Sequence, residues 1–431
     1  MKFQVPRGTR DILPGEVERW QWLEERTREV MALYGYREVR TPVFEATDLF
    51  VRSVGEATDI VRKELYTFQD RKGRSLTLRP EGTAPLVRAW IESASLRAEQ
   101  PSRLYYLGPM FRYERPQAGR YRQFWQIGAE LLGSAKPVAD AEMIDLFRSI
   151  LWDVGLKRVT VLLNSLGDSV CRPRYREAIR VYFGKHLGDL CDDCKERLET
   201  NPLRILDCRV PSCAPTIAGA PSVLDSLCRD CAEHFDAVKR ALRSLGVEFE
   251  VAPRLVRGLD YYTRTVFEIQ AEGLGAQNAV GGGGRYDQLV KDFGGPDTPA
   301  IGFSIGMERL LLSIGEAAPL VAPGPDVCVV ALEPAAAIDA LALARNLRGQ
   351  SARPDERKAL RVMVDVAGRS ATSQMKWASK TGARWVVFVP RGADGYAVRD
   401  MTAGRDEEKQ RTDEDLRRWL LTRRDLVETP R

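Results

Sequence analysis

Histidine is almost missing from this chain: there are two in 431 residues, His186 and His234. Both stand in a cysteine-rich middle stretch, away from every arginine-rich or glycine-rich motif, which argues against histidine as a general base. Long apolar runs are missing too. No stretch approaches the roughly 18 uninterrupted apolar residues of a membrane helix, and the N-terminus, MKFQVPRGTRDILPGE, lacks the apolar core of a signal peptide. A cytoplasmic protein with no membrane partner is expected. Nor does one sign of charge dominate. Sixty-five Lys and Arg against 60 Asp and Glu leave +5, too little to coat nucleic acid by charge alone. With 44% hydrophobic and 29% charged residues, neither a disordered nor a fibrous chain fits.

The length predicts two or three domains at roughly 100–200 residues each. A helix is expected from Glu16 to about Tyr34, with Trp20, Leu23, Val30 and Leu33 on one face, and then a strand to Pro42. Between Ser75 and Leu132 short β-type runs recur (SLTLRP, RLYYLG, FRYER, FWQIGAELLG), which predicts an antiparallel sheet rather than alternating βαβ units. Residues 138–154 read as a covering helix. From 171 to 246 the pattern turns helical and cysteine-rich, and strand-like runs resume at Val247, so this block reads as an insertion within one domain. Residues 315–325, GEAAPLVAPGP, read as a stiff linker. Beyond it, strand and helix alternate (VCVVAL, 334–348, LRVMVDV, 370–381, WVVFVP, YAVRDM, 413–422), which predicts a small α/β unit with a mostly parallel sheet. Residues 326–431 hold 20 basic and 16 acidic side chains, so most of the small positive excess lies there and points to an anionic partner.

Two stretches carry candidate chemistry. In Phe111-Arg112-Tyr113-Glu114-Arg115-Pro116-Gln117, followed by Arg120-Tyr121-Arg122-Gln123-Phe124, residues two apart on a strand share a face, so Arg112 and Glu114 are expected to point the same way. A guanidinium suits phosphate and a carboxylate suits an amino group, the pairing an ATP site requires; a solvated charged hairpin is the plain alternative. In Ala300 to Leu310, AIGFSIGMERL, a strand turns into a helix at glycines, which places Arg309 in the helix's first turn, where the dipole favours an anion.

Six of the eight cysteines fall between 191 and 231: Cys191-x2-Cys194, Cys208-x4-Cys213 and Cys228-x2-Cys231. In a reducing compartment this density suggests a closed four-thiolate zinc site of structural kind. Cys191, Cys194, Cys228 and Cys231 make the first choice of ligands. Cys208 and Cys213 with Cys228 and Cys231 are the alternative, and buried free thiols on helix faces the third reading.

Nearly end to end, the sequence resembles the histidyl-tRNA synthetases, a family of class II aminoacyl-tRNA synthetases. Phe111 to Phe124 resembles the class's motif 2, 300–312 its motif 3, and the helix and strand ending at Pro42 its motif 1, which builds the family's dimer interface. LVRGLDYYTRTVFEI (255–269) and GGGGRYDQLV (281–290) are similar to stretches particular to the histidine enzymes. The resemblance implies an α+β fold: a class II antiparallel sheet flanked by helices in residues 1–320, with 171–246 inserted, and a C-terminal α/β anticodon-binding domain in 326–431. It implies a homodimer that uses ATP with Mg2+ to activate L-histidine as histidyl-adenylate and then charges histidine tRNA. Arg112 and Arg257 would stabilise charge on the α-phosphate, Arg309 would hold the γ-phosphate, Glu114 the adenine amino group, and Phe124 would stack on adenine. Glu130 and Tyr262 would accept from and donate to the imidazole. Glu81, Thr83 and Gln126 would read the α-amino group, with Arg257 and Tyr286 also in the histidine pocket. Arg115 and Gln117, and in the C-terminal domain Lys376 and Lys380, would meet tRNA. The stretch PRGADGYAVRDM departs from the acidic loop of the family, so no base-reading residues are assigned. Two other readings compete. A non-catalytic histidine-binding paralogue regulating histidine synthesis would generally lack RGLDYY and the C-terminal domain, and a zinc-dependent nucleic-acid-binding protein leaves the paired ATP motifs unexplained.

Overall fold

The computed structural model describes residues 3–55, 58, 60–117, 119–271, 278–315, 324–349, 359–391 and 395–428. The chain divides into two units, Met1–Leu320 and Val321–Arg431. Residues 316–323 of the expected linker lie outside the described residues.

The first unit is built on an eight-stranded sheet. In spatial order its strands are Arg37–Glu38, Ser102–Phe111, Gln123–Leu132, Ala300–Gly306, Ala279–Arg285, Thr263–Ala271, Val159–Ser165 and Glu250–Val251. The two outermost pairings are parallel and the five inner ones antiparallel. Side chains alternate across such a sheet, so the register decides which groups share a face. One cross-strand row runs Leu104, Glu130, Gly302, Gly284 and Val266; the row two residues along runs Tyr106, Gly128, Ser304, Gly282 and Glu268. Polar residues and glycines therefore collect on one face. The intervening positions, Ile127, Ala129, Leu131, Ile301, Phe303, Ile305, Phe267 and Ile269, point the other way into the main core.

That core is closed by the helix Pro137–Asp153, whose Phe147 stacks on Phe303 with ring centroids 4.7 Å apart, and by Val17–Leu33 through Trp20, Leu23 and Val30. Both helices fall within a residue or two of the expected spans. The strand expected to continue to Pro42 is only Arg37–Glu38. The chain leaves the sheet after Ser165 and returns at Glu250. Between these points, Arg172–Gly184 and Asp192–Thr200 pack with short 3-10 turns around their own core of Tyr175, Ile179, Phe183, Leu198 and Ile205. The helix Arg229–Ser244 instead lays Phe235, Val238 and Leu242 into the main core beneath the sheet.

The second unit has five strands in the order Val362–Val364, Val327–Ala331, Trp385–Val389, Tyr396–Asp400, Arg405–Gln410, with the helices Ala337–Leu347, Ala371–Lys380 and Asp413–Glu428. Two of its pairings are parallel and two antiparallel, so the sheet is mixed rather than mostly parallel. The difference comes from Arg405–Gln410. Its sequence, RDEEKQ, shows no apolar alternation, yet it folds back on Tyr396–Asp400 through a turn whose Gly404 has φ +67°.

Candidate active site

Above the polar face of the first sheet lies a cavity of about 830 Å³. Glu81, Thr83, Arg112, Glu114, Phe124, Gln126, Glu130, Arg257, Tyr262, Tyr286 and Arg309 all line it. The structure thus brings together every residue expected to meet ATP or histidine. Arg115 and Gln117 are exposed in the loop following Phe111, and Lys376 and Lys380 are exposed on the helix Ala371–Lys380 of the second unit.

The floor depends on missing side chains. A Cβ on Gly302 would fall 1.6 Å from Glu130 Oε2, and one on Gly282 would stand 2.9 Å from the Arg257 guanidinium. Glycine at these two positions leaves room for the functional groups beside them.

At one end a buried carboxyl is held by neutral donors. Thr83 Oγ1 donates to Glu130 Oε1 at 2.7 Å, and the Tyr286 hydroxyl donates to Oε2. Burial pushes the Glu130 carboxyl up to about 8, against the lowering effect of the two donors. Glu81 anchors the same corner: its Oε2 accepts from Thr83 N at 2.6 Å and its Oε1 from Ala84 N at 2.9 Å, capping the helix Thr83–Glu92. Tyr262 is buried beside them. Gln126 lines the cavity, and its buried Oε1 has no hydrogen-bond partner among the described residues.

The other end is cationic. Arg112 sits 5.3 Å from the Phe124 ring centroid, and its Nε donates to Pro80 O at 2.9 Å. Arg112 and Glu114 do converge, with Nη1 and Oε1 3.9 Å apart, but not as strand neighbours. Regular pairing stops at Phe111 and Gln123, since Tyr113 N donates to Glu64 O at 2.8 Å and draws the chain away. Arg309 occupies the first turn of the helix Met307–Ile314 and donates through Nε to Ala279 O at 2.7 Å. Its pKa is lowered by burial and by Arg120 and Arg209 nearby.

Sequence reasoning missed Glu268. Its Oε2 accepts from Arg257 Nη1 at 2.8 Å, while the buried Arg257 Nε has no hydrogen-bond partner among the described residues. The signal lay in TRTVFEIQA, where Glu268 and Gln270 break the apolar alternation on one face of the strand. Glu308 was missed as well. It is buried, accepts from Trp125 N at 3.1 Å and is pushed up to about 7 by burial, so Trp125 serves the cavity wall through its backbone. His234 lies elsewhere, buried with its Nε2 2.7 Å from Asp140 Oδ2, and His186 is half-buried in the insertion.

The cysteines gather in two groups rather than one. Cys191 and Cys194 meet Cys208 and Cys213; Cys228 and Cys231 meet Cys171 and Asp168. The quartet of Cys191 and Cys194 with Cys228 and Cys231 is therefore not brought together, and neither is Cys208 and Cys213 with Cys228 and Cys231. Each CxxC pair opens a helix, but Asp192–Thr200 belongs to the insertion's core whereas Arg229–Ser244 is fastened to the main core, which keeps the pairs apart.

An antiparallel sheet under a cationic cavity, with an arginine leaving a strand-to-helix turn, has the fold of a class II aminoacyl-tRNA synthetase. The family model described as histidyl-tRNA synthetase matches residues 8–171 and 211–310. A histidine–tRNA ligase of Desulforamulus reducens is 49% identical over 411 residues, covering 94% of this chain and 96% of that protein; one of Moorella thermoacetica is 49% identical over 94% and 95%. The crystal structure of apo Staphylococcus aureus histidyl-tRNA synthetase covers 97% of this chain and all of its own, with 35% identity and a TM-score of 0.79. The chain belongs to the histidyl-tRNA synthetase family.

Proposed function

We propose that this chain joins L-histidine to histidine tRNA in two steps in the one cavity. The histidine carboxylate, already ionised at neutral pH, attacks the α-phosphorus of ATP, supplied as its magnesium complex. The bond to the β-phosphate bridging oxygen breaks and pyrophosphate leaves. A hydroxyl of the terminal tRNA ribose then attacks the histidyl carbonyl, and AMP departs. No side-chain nucleophile is needed in either step. The observation that carries this reading is the pairing, within one adenylate-sized cavity, of a cationic end with an end that is buried and only partly satisfied.

Arg112 and Arg257 stabilise charge developing on the α-phosphate, and the unpartnered Arg257 Nε is a donor suited to that task. Arg309 takes the γ-phosphate, Glu114 the adenine amino group, and Phe124 the adenine face. Glu130 accepts from one imidazole nitrogen, Tyr262 donates to the other, and Tyr286 fixes the carboxyl. An arriving N–H also favours the ionised form of Glu130. Glu81, Thr83 and the free acceptor of Gln126 suit an α-ammonium group.

Several finer points belong to the same proposal. Cys191, Cys194, Cys208 and Cys213 hold a structural zinc ion; Cys191 and Cys208 Sγ are 3.8 Å apart, the edge of a tetrahedron with bonds of about 2.3 Å. Arg115, Gln117, Lys376 and Lys380 meet tRNA phosphates. The chain works as a homodimer, consistent with the exposed Phe44 and Phe68 pair on a small three-stranded sheet of Phe44–Ala46, Ser75–Leu78 and Tyr66–Gln69, and in the cytoplasm, consistent with eight cysteines free of disulfides. Among the described residues no helix is long and apolar enough to cross a membrane. The test is aminoacylation: with ATP and magnesium, the purified chain should attach labelled histidine to histidine tRNA. Tight histidine binding by a folded protein that charges no tRNA would favour the regulatory paralogue.

A further inference from the structure

The second sulfur cluster sits where the insertion joins the sheet. Asp168 and Cys171 follow the strand Val159–Ser165 as the chain departs, and Cys228 and Cys231 open the helix Arg229–Ser244 as it returns. Their ligand atoms all lie within 4.8 Å of one another. Cys171 and Cys231 Sγ are 3.8 Å apart, and Cys228 Sγ is 3.9 Å from Asp168 Oδ1. Thiolates bound at about 2.3 Å around a tetrahedral ion stand about 3.8 Å apart. Such a spacing is far beyond the roughly 2 Å of a disulfide bond.

The surroundings are shaped for that packing. Gly167, at φ +67°, has no side chain, and a Cβ there would come within 2.4 Å of Cys171 Sγ. Asp168 is oriented by the backbone and by an arginine: Val170 N donates to Oδ1 at 3.0 Å and Cys171 N at 3.3 Å, while Arg264 Nη2 reaches Oδ2 at 3.5 Å. Outer hydrogen bonds of this kind fix a carboxylate for a metal.

We propose that Asp168, Cys171, Cys228 and Cys231 bind a second zinc ion, which clamps the two ends of the insertion together. The clamp reaches the strand Thr263–Ala271 by two arginines. Arg264, itself held at φ +47°, spans to Asp168 and exchanges backbone hydrogen bonds with Leu166 and Gly167, and Arg172, next to Cys171, donates to the Tyr262 carbonyl. Metal here would hold the backbone of Tyr262, and so the histidine end of the cavity, while leaving the ATP end alone. That last consequence rests on the proposed function, and so does the ion counted at Cys191, Cys194, Cys208 and Cys213; the ion at Asp168, Cys171, Cys228 and Cys231 does not.

The test uses the full chain prepared without chelators. Elemental analysis should give about two zinc ions per chain. Cys228→Ser with Cys231→Ser should retain about one, and Cys191→Ser with Cys208→Ser should also retain about one. Titration of the metal-free wild-type chain with Co2+ requires no variant to fold, and its thiolate-to-cobalt absorption should saturate near two equivalents. Asp168→Asn keeps the shape of the side chain but should release zinc to a chelator about tenfold faster and raise the histidine KM with little change in that for ATP. Zinc content or cobalt uptake unaffected by the Cys228 and Cys231 changes, or a Cys171–Cys231 disulfide in freshly reduced and desalted protein, would each overturn the proposal.

Discussion

The cavity and the cysteine-rich insertion handle polar groups in opposite ways. In the cavity, partners are incomplete: Gln126 Oε1 and Arg257 Nε have none among the described residues, and Glu130 is held by neutral donors that leave its proton affinity high. In the insertion, thiols from separate segments close on one another until each faces two or three more. The first arrangement presents polar groups that a ligand could satisfy, whereas the second brings donor atoms together within 4.8 Å of one another, a spacing that could hold a metal ion. Removing a group from the cavity should therefore cost activity more than stability, and removing one from the insertion should do the reverse.

The sharpest way to break this contrast is at Arg257. A guanidinium on the α-phosphate acts chiefly in the transition state, so Arg257→Ala should slow adenylate formation about a hundredfold or more, on the order of a few kcal/mol, with Tm nearly unchanged. A variant that unfolds early or works at wild-type rates would contradict the contrast.

Glu130 sharpens it, because it bears on both properties. Glu130→Gln should raise the histidine KM about tenfold and the ATP KM far less, since the amide nitrogen cannot accept where a carboxylate oxygen does. Its pH effect has a definite sign. The folded protein keeps this proton up to about pH 8, while the unfolded chain releases it near 4.5, so the unfolded state binds fewer protons across that window. Stability from this group is therefore lost as pH rises. Tm of wild type should fall relative to Glu130→Gln between pH 5 and 8; a constant difference would mean that the carboxyl is ionised throughout.

Cys191→Ser should show the opposite balance. Loss of a structural zinc ligand should lower Tm by several degrees, on the order of 5 °C, while pyrophosphate exchange at saturating substrates stays within about twofold of wild type. A large loss of exchange without a thermal shift would move this cluster into the chemistry.

The smallest effect is expected in the second unit. Lys376→Ala with Lys380→Ala should weaken tRNA use only a few-fold and reduce the dependence of log affinity on log salt by about one to two, leaving exchange untouched. An unchanged salt slope would free these lysines of phosphate contact.

How much of this could be read beforehand follows from the same physics. Phe111–Phe124 and 300–312 announce themselves because their groups are close in sequence, and the short continuous apolar runs VCVVAL and WVVFV are enough to place a strand. Thr83 and Tyr286 stand 47 and 156 residues from Glu130, so only resemblance pointed to that pocket; the register of Glu130 opposite Gly302 is what assembles it. The cysteine spacing identified pairs but not their partners, since partnership depends on which core each helix joins. Arg405–Gln410 escaped notice because a charged edge strand has no periodicity to read. Glu268 escaped because an ion pair with Arg257 exists only once the loop before Tyr261 folds over the sheet.

The account rests most on one claim, that the cavity makes an adenylate of histidine with this chain's own cations. Pyrophosphate–ATP exchange by the full wild-type chain, without tRNA and with each standard amino acid in turn, tests it directly. Exchange should depend on histidine, and the other amino acids should leave it at background. Folded protein that binds histidine and ATP yet exchanges no pyrophosphate, or that exchanges equally with another amino acid, would contradict it.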